Sequence, residues 1–242
     1  MNADVKIFED QEKLGAGFAE EFASVVNDYT SHKEKINIAI SGGNTPKLFF
    51  NSITAEYKNK IDWNYVYIYW VDERCVAPVD NDSNYKMTRE NLLDLVNINS
   101  GNIYRIRGEA NPSEEARRYS GIVKAQLPEA NGLPRFDIIV LGMGSDGHTA
   151  SIFPGQLELF ETNIIYTESV NPASGQKRIT ASGKVINNAK RVYFIVSGHD
   201  KAEVLKQVIQ GQNTAENFPA CHIQPFPGSL KWFIDKDAAR LL

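Results

Sequence analysis

Phe136-Asp137-Ile138-Ile139-Val140-Leu141-Gly142-Met143-Gly144-Ser145-Asp146-Gly147-His148 is the stretch on which the reading of the fold turns. A short apolar run ends abruptly in a glycine-rich turn. Runs of this length bounded by turn residues predict a buried strand, here over residues 136–141. The same pattern recurs at 36–40, 65–71 and 192–196, with a shorter candidate at 232–234 and an edge strand at 5–8. Between these runs, apolar residues repeat at helical spacing: Leu14, Phe18, Phe22 and Val25; Ala116, Tyr119, Val123 and Leu127; Val204, Leu205, Val208 and Ile209. Helices are also expected over 47–57 and 87–96. Asn111 followed by Pro112 and Glu114 reads as a helix start, Asp200 with Glu203 as a similar pair, and Thr45-Pro46 as a cap and first turn. Strands alternating with helices predict an α/β, Rossmann-like fold. Its central sheet is mostly parallel with helices on both faces, in one domain spanning 1–242.

Composition narrows the function. The chain has 242 residues and a net charge of −4, which gives no global attraction to nucleic acid or an anionic membrane. Any anion must therefore be held by a local cluster. No apolar run approaches the roughly 18 residues of a membrane span. Residues 1–6 show no basic region followed by an apolar stretch, so a cytoplasmic protein is expected, with Cys75 and Cys221 as reduced thiols.

In parallel sheets ligands bind beyond the carboxyl ends of strands, and three of these ends carry unusual residues. Ser41-Gly42-Gly43-Asn44-Thr45-Pro46 joins a strand to a helix. Its glycines permit close approach of the main chain, and the helix N-terminus favours a phosphate. No Gly-Lys-Ser/Thr follows, so it is not a Walker loop, and a plain strand-to-helix turn is the alternative. Asp72-Glu73-Arg74 places three charges at another strand exit, where an arginine can grip phosphate; a solvated loop with an internal ion pair is the alternative. In the third, His148 beside Asp146 offers a group suited to proton transfer near neutral pH, against the commoner structural histidine. Residues 142–147 also match a dinucleotide-binding fingerprint, with Glu168 about 20 residues on. Asp146 would then face a pyrophosphate, and Pro154-Gly155 would break the required helix.

Taken together, SGGNTP (41–46), DERCV (72–76) with Ser83-Asn84, and LGMGSDGHTASIFPG (141–155) resemble the 6-phosphogluconolactonases, which share a fold with the glucosamine-6-phosphate isomerases and deaminases. KRIT (177–180) and VSGHDKAEVL (196–205) extend the resemblance over nearly the whole chain. The deaminases are similar at the Asp-Gly-His turn but carry a catalytic Glu five residues past the His, where this chain has Phe153, and an aromatic residue where it has Arg74.

The resemblance implies hydrolysis of 6-phospho-D-glucono-1,5-lactone to 6-phosphogluconate in the oxidative pentose phosphate pathway. That chemistry needs a base, for which His148 is expected, with Asp146 orienting its ring or positioning the water; His32, His148, His199 and His222 show no zinc-type spacing, so no metal and no cofactor are expected. The substrate would be held by Ser41, Gly42, Gly43, Asn44, Thr45, Asp72 and Arg74, with Arg178 and Lys201 drawn in by the KRIT and GHDK matches. The expected partner is a small sugar-phosphate lactone, with neither nucleic acid nor membrane, and the chain is expected as a monomer or weak homodimer. The rival readings are an isomerase/deaminase and a non-catalytic sugar-phosphate sensor.

Overall fold

Residues 4–211 and 216–242 are described by a computed structural model; the first three residues of the amino-terminal reading lie outside it. In chain order the strands are β1 (Asp4–Phe8), β2 (Ile36–Ile40), β3 (Val66–Trp70), β4 (Asp72–Arg74), β5 (Ile103–Tyr104), β6 (Glu129–Ala130), β7 (Leu133–Pro134), β8 (Ile138–Leu141), β9 (Tyr166–Val170), β10 (Lys177–Ala181), β11 (Arg191–Val196) and β12 (Ser229–Asp235). The α-helices are α1 (Gln11–Ser31), α2 (Asn44–Ser52), α3 (Asn84–Asn91), α4 (Pro112–Gln126), α5 (Gly183–Asn187), α6 (Ala202–Gln210) and α7 (Lys236–Ala239).

Seven strands form one sheet in the order β1-β12-β11-β8-β2-β3-β5, every neighbouring pair parallel. Helices pack around it. The central strands are apolar throughout because both faces are covered: all five residues of β2 and all four of β8 are buried. From β2 the chain winds outward through β3 to β5; from β8 it winds the other way through β11 to β12. The strand order therefore reverses between β2 and β8, and a crevice opens beyond their carboxyl ends. Ser41 N–H donates to Val140 O at 3.1 Å, which joins the two exits directly.

A second sheet, β4-β10-β9, is antiparallel and folds over this end. β3 reaches it after one residue, Val71, whose N–H donates to Ile40 O at 2.9 Å. On the other side, α1 anchors α2 through aromatic edges. Phe18 meets Phe49 at 5.0 Å and Phe233 at 5.0 Å between ring centroids. Each such buried ring contributes about 1.5–3 kcal/mol by leaving water, and together they fix the helix whose first turn faces the crevice.

Three local expectations change. Thr45 does not cap α2: the helix starts two residues earlier, from Gly43 (φ 111°), with no side-chain cap, and the Thr45 hydroxyl lies 3.3 Å from Ser197 Oγ. Asp200 does not cap α6, because its carboxylate is drawn to Lys201 Nζ at 2.8 Å. No α-helix follows the glycine turn directly after β8: a short 3-10 turn at Leu157–Phe160 comes first, the next α-helix is α5, beginning at Gly183, and Glu168 sits in β9 opposite Ile179. The dinucleotide fingerprint lacks the helix N-terminus that would bind a pyrophosphate. The expected start at Asn111 is present, its Oδ1 accepting from Ser113 and Glu114 N–H with Pro112 in the first turn.

Candidate active site

Four loops, following β2, β3, β8 and β11, meet over the crevice and enclose a cavity of about 620 Å³. Its wall includes Ser41, Gly42, Gly43 and Thr45 from the first loop, Asp72, Arg74 and Arg178 from the small sheet, His148 from the third loop and Lys201 from the fourth. Asp146 is not on that wall but behind it, holding His148. Asn44 opens α2, and its side chain lies outside what the structure describes.

The small sheet sorts the charges by its pleat. Successive side chains of a strand point to opposite faces. Asp72 and Arg74 therefore share the face toward the cavity, and Glu73 points away. Arg178 stands directly opposite Arg74 in the β4–β10 register, and Thr180 opposite Asp72. Two like charges on directly paired positions are unfavourable. Burial holds the Arg178 guanidinium below its ordinary range, and the Arg74 charge lowers it further. The Nε groups of both arginines are buried without a partner. Arg74 Nη1 donates to Asp82 O, which fixes its direction without neutralising it. Two cations are thus held on paired positions at a cavity that the uncapped start of α2 also lines. That combination suits a dianion such as a phosphate ester.

Glu73, on the reverse face, is buried and holds the next loop. Its carboxylate accepts from Arg74, Asn84 and Tyr85 N–H at 2.7–2.8 Å and from Ser83 Oγ at 3.2 Å. Burial pushes its carboxyl up to about 7, against the downward pull of those three N–H groups. The Asn84 amide, secured by Nδ2 donating to Asp72 O at 2.8 Å, lies against Gly42, where a side chain would collide with it. Glu73 and Asn84 lie in motifs the sequence offers, but neither is assigned a role in the site from it. Glu73 read as one more charge in a cluster because its facing is set by the pleat.

The turn after β8 is cross-tied: Gly144 N–H donates to His148 O at 2.9 Å and Thr149 Oγ1 to Gly142 O at 2.9 Å. The first of these removes the Gly144 N–H from the donors open to a ligand. Asp146 Oδ1 accepts from the His148 backbone N–H at 3.1 Å and stands 2.5 Å from His148 Nδ1. Burial alone would raise the Asp146 carboxyl, but the hydrogen bond and charge of His148 outweigh it and bring it below the usual range. An ionised carboxylate only accepts, so it assigns the ring proton to Nδ1 and leaves Nε2 as a lone-pair base. A Cβ on Gly144 would overlap His148 Nδ1 and Asp146 Oδ1, so the close pair requires glycine there. The imidazole is one-third exposed and lies against the Phe153 ring at 4.8 Å.

Lys201 reaches the cavity already paired with Asp200. That pair is partly exposed, whereas Arg74 and Arg178 form no ion pair among the described residues. Other wall residues include Gln11, which carries no sequence signal, and Met143 and Ser197, which lie in the quoted motifs but are assigned no role from them.

The family model for glucosamine-6-phosphate isomerases/6-phosphogluconolactonase matches residues 9–232. A 6-phosphogluconolactonase of Haemophilus influenzae is 41% identical over 218 residues, covering 88% of this chain and 90% of its own. One of Treponema pallidum is 40% identical over 202 residues, covering 84% and 82%. The solved structure of a 6-phosphogluconolactonase from Trypanosoma brucei superimposes with a TM-score of 0.87 at 26% identity, covering 99% of this chain and 98% of that one.

Proposed function

The chain belongs to the glucosamine-6-phosphate isomerase/6-phosphogluconolactonase family, and from that premise we propose that its cavity hydrolyses 6-phospho-D-glucono-1,5-lactone to 6-phospho-D-gluconate, with His148 as the base that activates water. The observation that carries this reading is a single cavity bordered by both an imidazole with its Nδ1 tied to a carboxylate and a pair of arginines whose buried Nε groups have no partner among the described residues.

Each part has a task in ester hydrolysis. The phosphate lies between Arg74, Arg178 and the first turn of α2. This remote grip places the ring carbonyl before His148. Nε2 takes a proton from water as the oxygen attacks C1, and Asp146 stabilises the imidazolium that forms. When the ring C–O bond breaks, the imidazolium returns that proton to the leaving ring oxygen. Ser41 and Thr45 supply polar contacts to the phosphate, and Asp72 faces the sugar hydroxyls. Free thiols at Cys75 and Cys221 and a phosphorylated substrate support a cytoplasmic setting. No helix among the described residues is long and apolar enough to cross a membrane.

The deaminase reading is weaker because Phe153, fully buried, fills the place where the resemblance puts that branch's catalytic acid. Among the described residues the carboxylates on the wall are Asp72 and Asp200. A lactone-opening assay, corrected for spontaneous hydrolysis, decides the matter. The protein should accelerate opening of the phosphorylated lactone and release no ammonia from glucosamine 6-phosphate. The reverse pattern would reject the lactonase reading.

Gly144→Ala tests the base without touching its chemistry. The added methyl overlaps Nδ1 and Oδ1, so the pair must separate, and a displacement of about 1 Å costs on the order of a hundredfold in turnover. We expect kcat to fall by about that factor while the thermal midpoint moves little. An unchanged kcat would show that the close pair is dispensable.

A further inference from the structure

Asp72 is a buried carboxylate beside two unneutralised arginines, yet its hydrogen bond goes elsewhere. Its Oδ2 accepts from Ser151 Oγ at 2.6 Å. Ser151 is fully buried and fastened on both sides: its N–H donates to Thr180 Oγ1 at 3.2 Å, and its carbonyl accepts from Ser169 Oγ at 2.5 Å. Neither Arg74 nor Arg178 is closed into an ion pair with Asp72 among the described residues. Ser151 lies three residues past His148 in the same turn, with Ala150 between them in the left-handed region at φ 51°.

We propose that Ser151 is a positioning residue that keeps the Asp72 carboxylate away from the arginine pair, so that the pair stays open to the substrate's phosphate. The argument is one of competition. A carboxylate on the same strand face as Arg74, and diagonal to Arg178, is their natural counter-ion. A short charge-assisted bond to a fixed hydroxyl offers an alternative of comparable strength. Without that hydroxyl, Oδ2 is left buried and unpaired, and swinging to the guanidiniums satisfies it. The cost then appears as weaker anion binding, because phosphate must displace an internal carboxylate. The turn that carries the base thereby also governs the anion site.

The inference rests on the proposed phosphate site, and titration with inorganic phosphate separates the two. Wild type should bind phosphate in a manner lost in Arg74→Ala; if it does not, the phosphate site itself is wrong, and this inference falls with it. Given that binding, Ser151→Ala should raise the phosphate dissociation constant about tenfold, the effect of a weakened single charge contact. The same change made in an Asp72→Asn background should have almost no effect, since the competing charge is gone. A merely structural role for Ser151 predicts the same loss in both backgrounds, and that result, or no loss in either, overturns the proposal. Ser151→Cys, similar in size but a weaker donor, carries the same prediction in smaller degree if the alanine variant does not fold.

Discussion

His148→Ala should lower kcat for the phosphorylated lactone by about 10² to 10⁴ while leaving KM within a few-fold. The reason lies in where the imidazole acts. Its Nδ1 is committed to Asp146, which leaves Nε2 as the ring's free nitrogen, and in the proposed mechanism Nε2 acts on water rather than on the sugar. Removing it deletes a proton acceptor needed in the transition state and removes little ground-state binding. An interaction made only in the transition state lowers kcat and kcat/KM equally. The proposed phosphate site on the small sheet is built from other elements, so it should survive the change. Asp146→Asn should follow in the same direction with a smaller loss, because the ring keeps its place but loses the carboxylate that stabilises its charged form. Steady-state kinetics corrected for spontaneous ring opening provide the measurement. A His148→Ala protein with near-normal kcat would remove the imidazole from the reaction.

Arg74→Ala should act on the other term. For the phosphorylated lactone KM should rise by one to two orders of magnitude, about 1.5–3 kcal/mol for a charge-assisted contact. For unphosphorylated glucono-1,5-lactone the change should be slight, because that substrate never uses the guanidinium. The contrast between substrates is the informative quantity. Arg74 also directs a bond to Asp82 O, so a purely structural loss is a real competitor, and it would weaken both substrates alike. Equal losses would place Arg74 among the supports of the loop instead of the phosphate site.

Much of this arrangement could be read from the chain before folding. The parallel sheet was legible because its central strands are buried on both faces, which leaves continuous apolar runs such as Ile36–Ile40. Strand β5 escaped because two residues, Ile103–Tyr104, carry no period at all. The small antiparallel sheet escaped because β10 mixes Lys177 and Arg178 with buried Ile179, and such a mixture looks like a loop. The three glycine-rich or charged strand exits were visible as oddities of composition, and His148, Arg74 and the Ser41 loop do meet at one cavity.

What sequence could not supply was facing and distance. Asp72-Glu73-Arg74 looked like one charged cluster, whereas the pleat sends Glu73 away to hold Ser83, Asn84 and Tyr85. Thr45 looked like a cap, but Gly43 starts the helix first, and the hydroxyl of Thr45 finds Ser197 instead. Ser151 was plain in the sequence and silent, because the carboxylate it holds is 79 residues away.

The opposition of Arg74 and Arg178 across two paired strands has a bearing on the lifetime of the protein. Like charges on paired positions are unfavourable, and an anion held between them, as proposed for the substrate's phosphate, would offset that repulsion. Whatever binds the folded form alone holds it closed against transient opening. A copy occupied by a sugar phosphate is then the harder target for a protease, and a starved copy the easier one. The protein's survival would rise and fall with the supply of the compound it consumes.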